Sequence, residues 1–241
     1  MVSVKKEMLN NEIKLKIFGD PNELESALNQ ILNGDCPYFV DSHDFDNFVS
    51  IDVSELEDEK VRQLEQTLYS SLGKFIYFDD NLSLSEVCIT LLRLYHKKVG
   101  VAESVTGGKI ADAIVSISGA SDVFNEGLVC YSNEAKALNL NVSPKTLMKF
   151  TAVSREVASE MVRGLLSHSY NDYAVATTGY AENCNEKQNG GLVYIGVGDE
   201  SRVDVFAYKF KGDRQEVRRI ATNAALFHLI KKIKGSFEYM G

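Results

Sequence analysis

Apolar and polar positions alternate at Ile13-Lys14-Leu15-Lys16-Ile17, the period of a half-buried strand. Asp20-Pro21 then supplies a helix cap and a first helical residue. Leu24, Ala27, Leu28, Ile31 and Leu32 recur at helical spacing until Gly34 to Pro37 breaks the pattern. Phe48 to Val53 predicts a second strand. Ser54 to Leu72 predicts a second helix, with Leu56, Val61, Leu64, Leu68 and Leu72 as its buried stripe, and Phe75 to Phe78 a third strand. These elements make a small α+β unit of βαβα type, close to the lower size limit of an independent core.

A polar joint, Asp79-Asp80-Asn81, separates this unit from a longer pattern. Ser83 caps a helix with Glu86 at the capping-box position, and Leu84, Val87, Cys88, Leu91, Leu92 and Tyr95 form its apolar face. Val99 to Ala102 is a short apolar strand, and Gly107-Gly108 opens a helix containing Ile110, Ala111, Ile114 and Val115. A strand over Gly127 to Tyr131 is followed by helices from Asn133 to Leu138 and from Ser154 to Ser167. Strands over Tyr173 to Thr177, Leu192 to Val197 and Val203 to Phe210 come next, and Asp213 caps a last helix to about Lys232. Strands and helices alternate at first, and then strands follow one another. That order predicts a three-layer α/β/α domain with a mixed sheet. The expected boundaries are 1–80 for the small α+β domain and 81–241 for the larger one.

Charge divides the chain at the same joint. Residues 1–80 hold 7 Lys and Arg against 17 Asp and Glu, and residues 81–241 hold 19 against 17. Three of the 17 glycines precede residue 81. The acidic first segment repels phosphate backbones, so no nucleic-acid partner is expected. No apolar run reaches the ~18 residues of a membrane span, and the first residues carry no secretory apolar region. Cys36, Cys88, Cys130 and Cys184 are too widely spaced for a zinc or redox motif, and they read as free thiols of a cytoplasmic protein.

Chemistry concentrates at Glu103-Ser104-Val105-Thr106-Gly107-Gly108-Lys109, where a strand ends and a helix begins. Ligands gather at the carboxyl ends of strands in open α/β sheets, and helix N-termini offer free amides. Ser104 is a candidate nucleophile, with the next amides as an oxyanion hole. The same pattern suits an ordinary capped turn. A phosphate loop is excluded, because Ile110 follows Lys109 and the required earlier glycine falls at Glu103. His43, His96, His168 and His228 lie away from glycine-rich turns, which gives a Ser-His-Asp triad little support. Lys136 falls in the first turn of the next helix, where dipole and burial both lower an amine's pKa towards that of a general base. A solvated surface lysine fits that position too, and Glu134 would oppose the shift if it faced Lys136. Ser118-Gly119-Ala120-Ser121 could wrap an anion, and Arg214 opens the last helix.

Five blocks occur in a fixed order: Glu103-Ser104-x-Thr106-Gly107-Gly108, Gly127 to Lys136, Ala152 to Ala158, Thr178-Gly179 and Gly212-Asp213-Arg214. Over residues 82–233 this order resembles the C-terminal domain of CinA proteins, the PncC-type nicotinamide mononucleotide amidases. The resemblance implies an α/β/α fold and hydrolysis of the carboxamide of nicotinamide mononucleotide to nicotinate mononucleotide and ammonia. It implies Ser104 as nucleophile, Lys136 as base and Tyr131 as a further catalytic residue. It places Thr106 in the active site and Arg214 at the substrate's phosphate or ribose side. Together with the turns read above, the expected substrate-binding residues are Thr106, Gly107, Gly108, Ser118, Ser121, Asn133, Gly179 and Arg214. No metal or organic cofactor is implied. The implied partners are a small nucleotide substrate and further copies of the chain, with no membrane.

Residues 1–80 resemble the small middle domain of longer CinA proteins, and nothing resembles their molybdopterin-binding-like domain. After Thr178-Gly179 the family usually reads Ile-Ala-Gly-Pro, whereas Tyr180-Ala181-Glu182-Asn183 stands here in a loop without prolines. Two other readings stay open on the residues: a non-catalytic nucleotide-binding or interaction protein with the same fold, and an unrelated serine hydrolase.

Overall fold

The computed structural model describes residues 11–167, 170–182 and 188–238. They divide into one unit that runs to Ser83 and also takes in Phe237 and Glu238, and a second of Leu84–Ser236. In the first, β1 (Glu12–Phe18), α1 (Pro21–Leu32), β2 (Tyr38–His43), β3 (Asp46–Asp52), α2 (Asp58–Leu72) and β4 (Ile76–Phe78) form an antiparallel sheet in the order β2-β3-β1-β4. Asp20 caps α1 by accepting from the amides of Asn22 and Glu23. Leu15, Ile17, Val49 and Ile51 on the sheet and Leu24, Leu28 and Leu68 on the helices share one core.

The expected βαβα unit therefore becomes βαββαβ, a split-βαβ arrangement. The added strand is β2, joined to β3 through Asp44-Phe45. Both residues have positive φ, 50° and 71°, as a two-residue type I′ hairpin requires. Glycine or asparagine normally announces that turn, and neither is present.

The second unit contains α3 (Leu84–Leu94), β5 (Val99–Glu103), α4 (Lys109–Val115), a 3-10 turn at Ala120–Asp122, β6 (Phe124–Val129) and α5 (Asn133–Leu140). Next come α6 (Pro144–Phe150), α7 (Arg155–Ser167), β7 (Tyr173–Gly179), β8 (Leu192–Gly198), β9 (Val203–Lys209) and α8 (Arg214–Glu238). The sheet order is β6-β5-β7-β8-β9. Its first three strands are parallel, and β8 and β9 run antiparallel. It is the mixed α/β/α sheet that the alternation of elements implied. Helix α6 was not expected, and α8 runs past Lys232. His96 lies outside the predicted helix, because α3 stops at Leu94 and His96 takes a left-handed φ of 53°.

Alternation along the strands separates two cores. Ala102, Ala174 and Ala176 point towards α5 and α7, where Leu140, Val157, Met161, Val162 and Leu165 are buried with them. Val101 and Gly127 face α4, where a Cβ added to Gly127 would meet Ala111 and Val101. On that same face Phe206 stacks on His228 of α8, with ring centroids 3.5 Å apart. The Cys88 thiol of α3 donates to the Leu226 carbonyl of α8.

Helix α7 crosses α5 closely at Gly164, where a Cβ would lie 1.9 Å from the Leu140 carbonyl oxygen. Gly164→Ala must push the two helices apart, an overpacking cost of ~1–3 kcal/mol. The thermal unfolding midpoint should fall by several degrees, and an unchanged midpoint would show that the crossing yields freely.

Candidate active site

Strand β5 ends at Glu103, whose buried carboxylate accepts from the amides of Gly108 (2.9 Å), Ile110 (3.1 Å) and Ala111 (2.9 Å). The chain can double back this tightly because Gly107 and Gly108 take φ values of 60° and 95°. Thr106 is buried, and its hydroxyl lies 2.7 Å from that of Thr177. Arg218, from α8, donates to the carbonyls of Val105 and Thr106 at 3.2 and 2.9 Å. Ser104 therefore sits on a turn held from three sides.

Lys136 lies in the first turns of α5, whose N-cap Ser132 accepts from the Ala135 amide at 3.0 Å. Its side chain is only 1% exposed. Its amine lies 3.0 Å from Ser104 Oγ, 2.8 Å from the Cys130 carbonyl oxygen and 3.2 Å from that of Tyr131. No carboxylate among the described residues lies within ion-pair distance of it. Glu134 is exposed, and hydrogen bonds from its own amide and the Ser132 hydroxyl hold its carboxyl below the usual range. Burial lowers the Lys136 pKa from its ordinary 10.5, while Cys130 acts in the opposite sense.

The neutral amine fits this setting. Its two N–H groups donate to the two carbonyls, and its lone pair is left for the Ser104 hydroxyl proton. The Ser104 amide is committed to the Thr177 carbonyl at 2.9 Å. The next three amides, of Val105, Thr106 and Gly107, have no acceptor among the described residues.

Ser104 and Lys136 open into a cavity of about 220 Å³ that Val105, Tyr131, Gly179, Glu182 and Arg214 also line. Arg214 opens α8 and donates to the Tyr131 hydroxyl at 3.1 Å. Ser104, Lys136, Tyr131, Gly179 and Arg214 are thus brought together, with Thr106 packed behind Ser104. Gly107 and Gly108 shape the turn but do not line the cavity, and the Gly108 amide is taken by Glu103. Asn133 is exposed and outside the cavity.

Ser118 and Ser121 must be removed from the expected site. Both are exposed; Ser121 lies within the 3-10 turn that leads into the amino end of β6, and Ser118 lies just before it. Because β5 and β6 are parallel, α4 has carried the chain back to the edge of the sheet opposite Ser104. The neighbourhood of Ser118 is instead structural, with Arg93 3.7 Å from Asp122. The residues that sequence reasoning missed in their roles are Glu103 as the cap of α4 and Arg218 as a carbonyl clamp. Arg218 stands four residues after Arg214, on the same helical face, and that spacing is its signal. His43 is exposed, His96 is exposed beyond α3, and His228 is packed against Phe206 and Tyr208. His168 and Cys184 lie outside the described residues.

A mixed α/β/α sheet with a buried hydroxyl–amine pair beneath a small cavity defines the class of this domain. Residues 81–233 match the CinA C-terminal domain, and the chain belongs to that family. It is 46% identical over 173 residues to a relative from Caldicellulosiruptor saccharolyticus, covering 71% of this chain and 42% of the relative. It is 34% identical over 213 residues to a CinA-like protein of Fusobacterium nucleatum, covering 86% of this chain and 52% of that one. The chain thus spans about half the length, or less, of these relatives. A competence/damage inducible protein of Agrobacterium tumefaciens, solved as a crystal structure, superposes with a TM-score of 0.58 at 35% identity. That match covers 63% of this chain and 98% of that one. No helix among the described residues is long and apolar enough to cross a membrane.

The depressed Lys136 pKa sets a pH dependence. Between the folded value and 10.5 the unfolded chain holds more protons on this amine, so stability rises with pH across that window. Relative to Lys136→Met, the wild type should gain stability in urea unfolding from about pH 7 to about pH 10. A difference that stays flat over that range would mean the amine remains a cation in the folded chain.

Proposed function

We propose that this chain is an amidase that converts the carboxamide of nicotinamide mononucleotide to the carboxylate, releasing ammonia. The observation that carries the reading is the 3.0 Å contact between Ser104 Oγ and a buried Lys136 amine that has no carboxylate partner among the described residues.

Neutral Lys136 takes the hydroxyl proton as Ser104 Oγ bonds to the amide carbon. The carbonyl π pair moves to oxygen, and the free amides of the 105–107 turn stabilise that oxyanion. The Cys130 and Tyr131 carbonyls stabilise the lysine cation as it forms. Collapse of the intermediate breaks the C–N bond, and Lys136 returns its proton to the departing nitrogen, which leaves as ammonia. Water then attacks the acyl-enzyme, Lys136 takes a water proton and passes it to Ser104 Oγ, and the acid is released. The steps use groups of this chain, the substrate and one water.

A cavity of about 220 Å³ is smaller than the ~300 Å³ at which whole-ligand clefts begin. The carboxamide end fits inside, and the nucleotide's anionic end reaches the rim, where Arg214 supplies a guanidinium. Tyr131 holds that guanidinium in place through its hydroxyl.

Ser104→Ala and Lys136→Met should each lower ammonia release from nicotinamide mononucleotide by at least about 10³-fold with the fold retained. The wild-type kcat/KM should rise with pH through the Lys136 pKa, because the unprotonated amine is reactive. Arg214→Ala should chiefly raise KM, by about 10-fold or more, as the loss of one charge-assisted contact of ~1.5–3 kcal/mol implies. Release that survives in Ser104→Ala would overturn the reading. Wild-type binding of the nucleotide without turnover would leave a non-catalytic nucleotide-binding protein in its place.

A further inference from the structure

We infer that Arg218 is a positioning residue for the oxyanion hole, acting through two peptide planes. The inference rests on the serine–lysine reading above and extends it to a residue that touches neither substrate nor nucleophile.

Its Nε donates to the Val105 carbonyl at 3.2 Å and its Nη2 to the Thr106 carbonyl at 2.9 Å. A peptide unit is planar, with C=O and N–H pointing in opposite directions. The Val105 carbonyl shares its plane with the Thr106 amide, and the Thr106 carbonyl shares its plane with the Gly107 amide. Fixing the two oxygens therefore fixes two N–H directions. Those N–H groups have no acceptor among the described residues, although Thr106 is wholly buried. A buried amide is almost always paired, so the free Thr106 amide on the turn that carries Ser104 points to a function, with the exposed Gly107 amide beside it.

The charge of Arg218 adds to the geometry. No carboxylate among the described residues lies within ion-pair distance of the guanidinium, and Nη1 donates to the neutral Gln215 side chain at 3.2 Å. An uncompensated cation behind the two carbonyls polarises their peptide groups and makes the N–H ends stronger donors. The fork shape is required, because one ammonium cannot reproduce a planar guanidinium's grip on two successive oxygens. Gly107 belongs to the same device: a Cβ there would stand 3.0 Å from Arg218 Nη2.

The test uses a reaction that depends on Ser104 and the oxyanion hole but on no particular substrate. In phosphonylation by a fluorophosphonate, Ser104 Oγ bonds to phosphorus, fluoride leaves, Lys136 takes the proton, and the phosphoryl oxygen occupies the oxyanion position. Arg218→Ala and Arg218→Lys should each slow labelling of Ser104 by about 10²-fold. The pH midpoint of labelling, which reports Lys136, should not move, and added methylguanidine should restore part of the rate in Arg218→Ala only. If Arg218→Ala does not fold, Arg218→Lys, which keeps the stem and the charge, decides alone. Labelling within about threefold of wild type in a folded variant would overturn the inference. A shifted midpoint would do the same, because the residue would then be acting on the base. Wild-type labelling without hydrolysis of nicotinamide mononucleotide defeats only the proposed substrate, whereas no labelling of wild-type Ser104 defeats both.

Discussion

A primary amine buried without a counter-charge is expensive as a cation and inexpensive as a neutral base, and this domain is organised around that difference. Lys136 is surrounded by two backbone carbonyls and one hydroxyl. Two carbonyls match the two N–H groups of a neutral amine, and the hydroxyl faces the lone pair that remains. A nearby carboxylate would stabilise the ammonium and remove the base. The nearest acidic residue in sequence, Glu134, is exposed and tied to the start of its own helix. The arrangement also tolerates a brief positive charge, since the same carbonyl dipoles point at the amine after it gains a proton.

The second constraint is the use of helix amides. The N-terminus of α4 lies beside Ser104, where a phosphate could otherwise dock. Glu103 fills that place with its own carboxylate and takes three of the amides. The turn is thereby fixed, and its capacity for an external anion is used up. The amides of residues 105–107 have no acceptor among the described residues, and under the proposed reaction they suit a charge that develops in its course better than one that is bound permanently. A ligand's anionic end has to be met elsewhere, and Arg214 stands at the cavity rim.

Much of this was legible in the residues. The 2.0 and 3.6 periods located most strands and helices of the larger unit, and the Glu-Ser-x-Thr-Gly-Gly turn and Lys136 stood at strand ends. Three things were hidden for physical reasons. Strand β2 has no fully buried position, and its hairpin uses Asp44-Phe45 in place of a glycine turn. Ser118 and Ser121 have the composition of an anion-binding loop, but only the parallel register shows that α4 returns them to the far edge of the sheet. Arg218 reads as one more basic residue on a long helix, because its partners are carbonyls 112 and 113 residues away and side-chain patterns carry no record of carbonyls.

The location of the cavity follows from the order of the strands. From β5 the chain turns first to β6 on one side and later to β7 on the other. The helix after β5 packs on the Val101 face, and the helix after β6 packs on the Ala102 face. Adjacent parallel strands whose following helices leave on opposite faces open a crevice at their carboxyl ends. Ser104 follows the end of one of those strands, and Lys136 lies in the first turns of the helix after the other. The hydroxyl and the amine therefore meet because topology leaves a gap there. The third parallel strand, β7, runs out at Gly179 beside the same gap, and Gly179 to Glu182 supply part of its lining. Tyr180 and Glu182 in that stretch line the same cavity as the Ser104–Lys136 pair.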